Sequence, residues 1–301
     1  MRPHPPVEPR RRLTADPPAP PSTRPSAALP PLRDEIARAG LRATRALGQN
    51  FLLDPNLLDR IVRVAEIAPG DRVYEVGAGP GGLTRALLAA GAEVWAVEYD
   101  QRAWAILERL EAASGGRLHL LRADALRTDA AALVGAGAHI VANLPYNIAT
   151  PLLTGWLTEA AWPPWWRSAT LMFQKEVAER LVAAPGTPAY GRLSVLAQLR
   201  AEARIVLRLP ARAFTPPPKV ESAVVRLKPL AAADAADTDV PVAMVERLTA
   251  AAFGQRRKML RQSLKGVPGA LRALESLGID PARRAETLSV SDFSDLARAL
   301  R

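Results

Sequence analysis

The sequence predicts an α/β fold in which a parallel, doubly wound sheet is followed by a small, all-helical C-terminal domain. Short apolar segments with strand character alternate with longer segments of helical periodicity from residue 72 onward. That alternation is typical of helices packed on both faces of a parallel sheet. After an Ala- and Asp-rich stretch at residues 231–239, every remaining segment has helical periodicity, which predicts the C-terminal domain.

Composition excludes several classes of protein. The 301 residues, 49% of them hydrophobic, suffice for one large or two modest domains. The chain has no Cys, and its three histidines (His4, His119 and His139) are scattered, so neither disulfides nor a metal site is expected. No apolar run approaches the ~20 residues that span a membrane, and a cytoplasmic protein is expected. The net charge of +10 favours a polyanionic partner, although a basic tail would also account for it.

The chain begins with a segment that we expect to be disordered. Residues 1–31 hold eleven of the 28 prolines and the triplet Arg10, Arg11 and Arg12, and such a composition buries little apolar surface. A short helix is predicted at residues 32–43. The next helix begins at Asp54 and Pro55, which suit the N-cap and the first helical position.

The remaining elements follow from their periodicity and from the turn residues between them. Strands are predicted at residues 72–76, 93–97, 117–121, 139–142, 169–174, 203–209 and 222–227. Helices are predicted between them at residues 83–90, 102–112, 151–159, 175–182 and 193–199, and in the C-terminal domain at residues 242–253, 256–265, 269–277 and 291–300.

A glycine-rich turn follows the first of these strands and predicts a nucleotide-type cofactor. Gly77, Gly79 and Gly82 satisfy GxGxxG, and Glu98 lies where an acid that binds a ribose is expected in dinucleotide enzymes. Gly77, Gly79 and Gly81 equally satisfy the GxGxG of S-adenosylmethionine binders. The turn alone leaves open a nicotinamide-dependent oxidoreductase, a methyltransferase and a purely structural turn.

Two later features favour the methyl donor. Asp124 follows the third strand, where it could accept a hydrogen bond from an adenine amine. Asn143, Leu144, Pro145 and Tyr146 follow the fourth strand, and ligands in open α/β sheets lie beyond the carboxyl ends of the strands. A hydride-transferring enzyme has no evident use for this second sequence.

The residues from Asn143 to Tyr146 have the chemistry to hold a planar base that carries an amine. The Asn143 side-chain oxygen and the Leu144 carbonyl can accept the two N–H groups, and Pro145 restricts Leu144 to an extended conformation. Tyr146 can stack on the base. Positioning and electrostatics would then supply most of the rate. The alternative is a Pro-Tyr loop that merely ends a strand.

This ordered set of residues resembles the ribosomal RNA adenine N6-dimethyltransferases, from about Arg45 to Leu300. The resemblance implies a Rossmann-like class I methyltransferase domain at residues 32–230 and a helical rRNA-binding domain at residues 240–301. It implies that S-adenosylmethionine is the cofactor and that the residues contacting it are Asn50, Leu52, Gly77, Gly79, Glu98, Asp124 and Asn143. It also implies that Tyr146 and Phe214 sandwich the flipped adenine.

Three segments resemble the small-subunit branch of this family rather than the antibiotic-resistance branch: residues 190–195, 216–227 and 253–264. They imply methylation of two adjacent adenosines near the 3′ end of 16S rRNA, in the small ribosomal subunit. Ala78 departs from the family, in which proline is common at this position. A binding factor that keeps the fold without the chemistry, as in related mitochondrial transcription factors, is the alternative.

Basic residues in the C-terminal domain are expected to contact RNA. Arg257, Arg261 and Lys265 have the spacing of one helix face, and their mutual repulsion would be relieved by phosphates. A solvated helix face is the alternative. The complete predicted set comprises Arg256, Arg257, Lys258, Arg261 and Lys265, with Arg192 and Lys219 added by the resemblance. Nothing in the sequence suggests an oligomer, so a monomer is expected.

Overall fold

The computed structural model describes residues 29–44, 47–231 and 240–301. Most of the segment predicted to be disordered, and most of the predicted linker, lie outside the described residues. The strands are β1 (Phe51–Leu52), β2 (Arg72–Val76), β3 (Glu93–Val97), β4 (Leu118–Leu121), β5 (Ala138–Ala142), β6 (Trp166–Gln174), β7 (Ala201–Leu209), β8 (Phe214–Thr215) and β9 (Ser222–Pro229).

The α-helices of the described chain follow the predicted order. They are α1 (Leu32–Arg38), α2 (Pro55–Ala65), α3 (Gly82–Ala89), α4 (Gln101–Ala113), α5 (Ala130–Val134), α6 (Tyr146–Leu157), α7 (Lys175–Leu181), α8 (Arg192–Arg200), α9 (Val242–Gly254), α10 (Leu260–Ser263), α11 (Ala270–Ser276) and α12 (Val290–Ala299). Helix α5 was not predicted, because five residues are too few to show a helical period.

Seven strands form the central sheet in the order β4-β3-β2-β5-β6-β9-β7. Strands β2 to β6 pair in parallel, whereas β9 runs antiparallel to both β6 and β7. The predicted parallel sheet is therefore correct for six strands and wrong for β9. The connection between β7 and β9, residues 210–221, contains no α-helix, and a parallel return in one sheet needs a crossover that usually contains one.

Helices α2 and α4 each begin at an aspartate whose side chain caps the helix. Asp54 Oδ1 accepts a hydrogen bond from the Asn56 backbone N–H at 2.9 Å and starts α2, as predicted. Asp100 caps α4 in the same way, with its side chain accepting from the Arg102 backbone N–H at 3.1 Å. Helix α2 buries Leu58 and Ile61, so its apolar stripe faces the core.

The C-terminal helices share a hydrophobic core with the sheet domain. Phe253 of α9 contacts Tyr190, which precedes α8, with 5.9 Å between ring centroids, and it contacts Phe293 of α12 at 5.7 Å. Tyr190 and Phe293 are fully buried. Residues 232–239 of the predicted boundary lie outside the described part, so the division into two domains stays a prediction.

The helix predicted at residues 256–265 is wrong. Helix α9 ends at Gly254, turns follow, and α10 covers only Leu260–Ser263. The backbone N–H groups of Leu260 and Arg261 donate to the carbonyls of Arg283 and Pro281 instead of to a preceding helical turn. Arg257, Arg261 and Lys265 therefore do not share one helical face, and the argument from their spacing fails.

Candidate active site

A cleft opens at the carboxyl ends of the parallel strands β2, β3 and β5. These strands are followed directly by Gly77, Glu98 and Asn143, so parallel pairing brings the three residues to one edge of the sheet. Ten of the predicted site residues line the cleft: Asn50, Leu52, Gly77, Gly79, Glu98, Asp124, Asn143, Leu144, Pro145 and Tyr146.

The glycine turn lies directly against the segment that begins at Asn143. Gly77 has φ +71°, and a Cβ at this position would lie 3.2 Å from Pro145 Cδ, so both the backbone and the packing require glycine. Gly79 has φ +55°, and its backbone N–H donates to Glu98 Oε2 at 2.6 Å. The turn therefore joins the predicted cofactor residues to the predicted base-binding residues.

Glu98 is buried and remains able to accept further hydrogen bonds. Its Oε1 accepts from the Asp100 backbone N–H at 2.7 Å, and its Oε2 accepts from Gly79. Burial raises the pKa of Glu98, and the nearby backbone N–H groups partly offset this effect. Each oxygen has a second lone pair, so the carboxylate could also accept two hydroxyl groups of a ligand.

Glu75 is a residue of the cleft that sequence reasoning missed. It is 1% exposed, and its Oε2 has no hydrogen-bond partner among the described residues. Burial raises the pKa of Glu75 to about 8, and the negative charge of Glu98 adds to the effect, while Thr84 opposes it. The available signal was an acid inside an apolar strand, next to the glycine turn. The side chain is predominantly neutral at pH 7.

The Asn143 amide is oriented by the segment across the cleft. Its Nδ2 donates to the Asn50 carbonyl oxygen at 3.4 Å, a long hydrogen bond. The amide orientation is assigned from this contact. It leaves Asn143 Oδ1 without a hydrogen-bond donor in the described part of the chain. Asn143 lines the cleft, so this oxygen could accept a hydrogen bond from a ligand bound there.

Tyr146 is the first residue of α6, which begins five residues earlier than predicted. Pro151 lies inside that helix, whereas the sequence argument placed it at the start. The Tyr146 hydroxyl is 2.6 Å from Ser222 Oγ on β9, and burial raises the pKa of the phenol. Pro145, with φ −56° and ψ 128°, is the N-cap of α6, and both Pro145 and Tyr146 line the cleft.

Phe214 is the predicted site residue that does not line the cleft. It lies in β8, is 2% exposed and pairs with Leu52 of β1. The second ring of the predicted aromatic pair is therefore part of the core in this structure. Its strand is nevertheless attached to the segment that covers the cleft.

The end of the cleft near Asp124 has two exposed apolar walls. Asp124 Oδ1 accepts from the Leu126 backbone N–H at 3.0 Å and caps a short 3₁₀ turn. Tyr99 and Leu126 line the cleft with exposed fractions of 67% and 50%. Large apolar side chains gain by being covered, so this end suits a planar ring. Tyr99 and Leu126 were not among the site residues predicted from the sequence.

The predicted RNA-binding residues differ in their surroundings. Arg256 is engaged within the protein, because its guanidinium donates to the Pro188 carbonyl at 2.6 Å and to Glu286 Oε2 at 3.2 Å. The others are exposed, and their side chains make no hydrogen bond or ion pair to the described part of the chain. These are Arg192, Lys219, Arg257, Lys258, Arg261 and Lys265. Their contact with RNA stays a prediction.

The described residues contain neither a candidate metal site nor a candidate membrane-spanning helix. In residues 29–44, 47–231 and 240–301, no cluster of three or more His, Asp or Glu side chains is arranged to hold a metal ion. Over the same ranges, no helix combines the length and the hydropathy that crossing a membrane requires.

The order of the strands, the glycine turn and the acids at the strand ends define a Rossmann-like methyltransferase of class I. A model of the family described as ribosomal RNA adenine dimethylase matches residues 40–301, and the chain belongs to that family. The predicted family and fold class are confirmed, and members of the family use S-adenosylmethionine.

Named relatives cover almost all of the matched region. The chain is 60% identical over 272 residues to a ribosomal RNA small subunit methyltransferase A of Novosphingobium aromaticivorans, covering 90% of this chain and 98% of that protein. It is 56% identical to the protein of the same name from Zymomonas mobilis, covering 90% and 96%.

Two solved structures have a similar fold. A dimethyladenosine transferase from Plasmodium falciparum is 29% identical, with a TM-score of 0.67 over 81% of this chain and 94% of that chain. The 23S rRNA methyltransferase ErmE is 25% identical, with a TM-score of 0.63 over 83% and 99%.

Proposed function

We propose that this protein transfers methyl groups from S-adenosylmethionine to N6 of two adjacent adenosines near the 3′ end of 16S rRNA. The product is N6,N6-dimethyladenosine in the small ribosomal subunit, and the reaction serves the maturation of that subunit. The observation that carries the proposal is Asn143 Oδ1 at the end of β5, which has no donor in the described part of the chain and belongs to a residue of the same cleft as Glu98 and Asp124. The names of the relatives support the choice of the small subunit.

The cleft has the chemistry to hold S-adenosylmethionine. Glu98 has lone pairs for the ribose hydroxyls, and Asp124 is an acceptor beside the apolar walls for the adenine. The backbone of Gly77 and Gly79, with Asn50 and Leu52 opposite, would enclose the methionine portion of the cofactor. When bound, S-adenosylmethionine supplies an electrophilic methyl group on a positively charged sulfur.

Asn143 and Leu144 make the target amine a better nucleophile. The lone pair of the adenine amine is delocalised into the ring, so the nitrogen reacts poorly when it is planar. Asn143 Oδ1 accepts one N–H, and the Leu144 carbonyl accepts the other, which favours a pyramidal nitrogen. Pro145 fixes the backbone beside these acceptors, so they are oriented before the substrate binds. No strong base is needed, because the product ammonium readily loses a proton to water.

Tyr146 and Phe214 would bind the flipped base by stacking. The hydrogen bond to Ser222 holds the Tyr146 ring in place. Phe214 is buried and attached through β8 to β1, so it can reach the base only after a local movement of that pair of strands. The exposed basic residues would bind rRNA phosphates, and the protein would act as a monomer in the cytoplasm, where small subunits are assembled.

The test is transfer of labelled methyl groups to small and large ribosomal subunits from a strain that lacks these modifications. We expect label in dimethyladenosine at adjacent positions of small-subunit RNA, located by nuclease digestion. Asn143→Ala should abolish transfer and leave the folded circular dichroism spectrum unchanged, whereas Asn56→Ala, at an exposed asparagine outside the cleft, should behave like the wild type. Label only in large-subunit RNA, or tight subunit binding without label, would refute the proposal.

A further inference from the structure

The segment that covers the cleft, residues 47–52, is held by a polar cluster on the opposite rim. Gln49 Nε2 donates to Asp100 Oδ2 at 2.8 Å, across 51 positions of sequence. Arg102 reinforces the contact, since its guanidinium donates to both Asp100 oxygens, at 2.9 Å and 2.6 Å, and to Gln49 Oε1 at 3.2 Å. Asp100 is buried, and chiefly its bonds to Arg102 lower its pKa.

Capping of α4 does not account for this cluster. The cap requires only Asp100 Oδ1, which accepts the Arg102 backbone N–H. Asp100 Oδ2 takes no part in the cap, and it accepts from both Gln49 Nε2 and the Arg102 guanidinium. A surface loop ordinarily needs no buried carboxylate to hold it, because such loops are solvated.

The same cluster lies next to both halves of the site. Asn50 follows Gln49, and its carbonyl oxygen accepts the hydrogen bond from Asn143 Nδ2. On the other side, the Asp100 backbone N–H donates to Glu98 Oε1. A shift of Gln49 away from Asp100 would therefore remove the group that orients the Asn143 amide.

We propose that Gln49 and Asp100 form a latch that holds residues 47–52 over the cleft and thereby positions the Asn143 amide. The inference rests on the proposed function, because it gives Asn143 its role in methyl transfer. Gln49 is a positioning residue and not a catalytic one, since both polar atoms of its side chain are bonded within the protein. Its Oε1 accepts from the Thr44 backbone N–H at 3.0 Å and from Arg102, and its Nε2 donates to Asp100.

Gln49→Glu is the most direct perturbation of the latch. It replaces the donor with a carboxylate 2.8 Å from the Asp100 carboxylate, and the two negative groups repel each other. Since small misplacements of reacting groups are costly, we expect kcat for methyl transfer to fall by about tenfold to a hundredfold. Amide hydrogens of residues 47–52 should exchange with deuterium faster in the free protein.

The matched control is Gln101→Glu, which adds the same charge beside Asp100. Gln101 is exposed at the start of α4, and its side chain has no partner in the described residues. Glutamate is favourable in the first turn of a helix. We expect turnover and exchange in this variant to match those of the wild type.

A second variant reverses the polarity of the latch. In Gln49→Glu with Asp100→Asn, the new amide at position 100 donates to the new carboxylate at position 49. Arg102 Nη2 loses its acceptor at position 100 but keeps the one at position 49, and asparagine still caps α4. We expect kcat to return to within about threefold of the wild-type value, and exchange of residues 47–52 to slow again. Recovery in the double variant would show that the two side chains act as a pair.

The possible results separate the positioning role of Gln49, its pairing with Asp100 and the proposed function. Wild-type turnover in Gln49→Glu, with or without faster exchange, would overturn the positioning role. Failure of the double variant to recover would overturn the pairing of Gln49 with Asp100. An inactive wild-type protein would refute the proposed function instead, and the exchange measurement would still decide whether the latch holds the segment.

Discussion

Glu75→Gln should make the stability of this protein less dependent on pH. The side chain is 1% exposed in β2, and its pKa in the folded protein is about 8, compared with an ordinary value of 4.5. Below pH 4.5 both the folded and the unfolded states hold the proton. Between pH 4.5 and 8 the unfolded state loses it while the folded state keeps it, so the folded protein loses stability as the pH rises.

The size of this effect follows from the pKa difference. One unit corresponds to about 1.4 kcal/mol, so the contribution of Glu75 to the free energy of unfolding should fall by roughly 3 kcal/mol from pH 5 to pH 8. Glutamine is neutral in both states and has no such dependence. Any change in packing caused by the new amide is constant with pH, so the slope of stability against pH is the informative quantity.

Urea unfolding at pH 5, 6, 7 and 8 measures this slope for the variant and the wild type. From pH 5 to pH 8, the free energy of unfolding of the variant should rise by roughly 3 kcal/mol relative to that of the wild type. Glu275→Gln, at an exposed glutamate of α11, is the control and should give a nearly constant difference. A constant difference for Glu75→Gln as well would refute the reasoning, because it would mean that Glu75 is ionised in the folded protein.

Three further predictions concern the turn, the RNA surface and acid stability. Gly77→Ala should cost about 1–2 kcal/mol of stability and weaken S-adenosylmethionine binding at least tenfold by calorimetry, because φ is +71° and the site is crowded; unchanged affinity would contradict this. Replacing Arg257, Arg261 and Lys265 with Gln should weaken small-subunit binding and reduce its salt slope by about 2, whereas an unchanged slope would assign these residues to ordinary solvated surface. Burial lowers the pKa of His139, so the unfolded state takes up its proton first and stability should fall as the pH drops below about 6.5. His139→Asn should remove part of that loss in urea unfolding between pH 7 and 5, and an identical acid slope would show that other groups cause it.

The residues at the strand ends are easier to predict from the sequence than the contacts between distant segments. The end of a buried strand is a local signal, and parallel pairing then brings Gly77, Glu98 and Asn143 together without further information. The pairing of Gln49 with Asp100 spans 51 positions, and no periodicity within one segment reveals it. Glu75 had a local signal, but only the folded environment gives its pKa.

The prediction of a helix at residues 256–265 failed for a different reason. Spacing of side chains indicates a helix only if the backbone is free to form one, and here Leu260 donates its N–H to the distant Arg283. The reversed β9 was missed because periodicity does not give strand direction. Phe214 shows a third limit, since a motif identifies the ring but not whether it is exposed.

The rings of Tyr190, Phe253 and Phe293 pack together and join the C-terminal helices to the sheet through one core. They connect α9 and α12 to the segment before α8, and the turns that carry Arg257 and Lys258 follow α9 directly. An enzyme with a hinge could move its pocket from one target to its neighbour while holding the RNA in place. Under the proposed function, this shared core favours movement of the RNA relative to the protein between the first and the second adenosine.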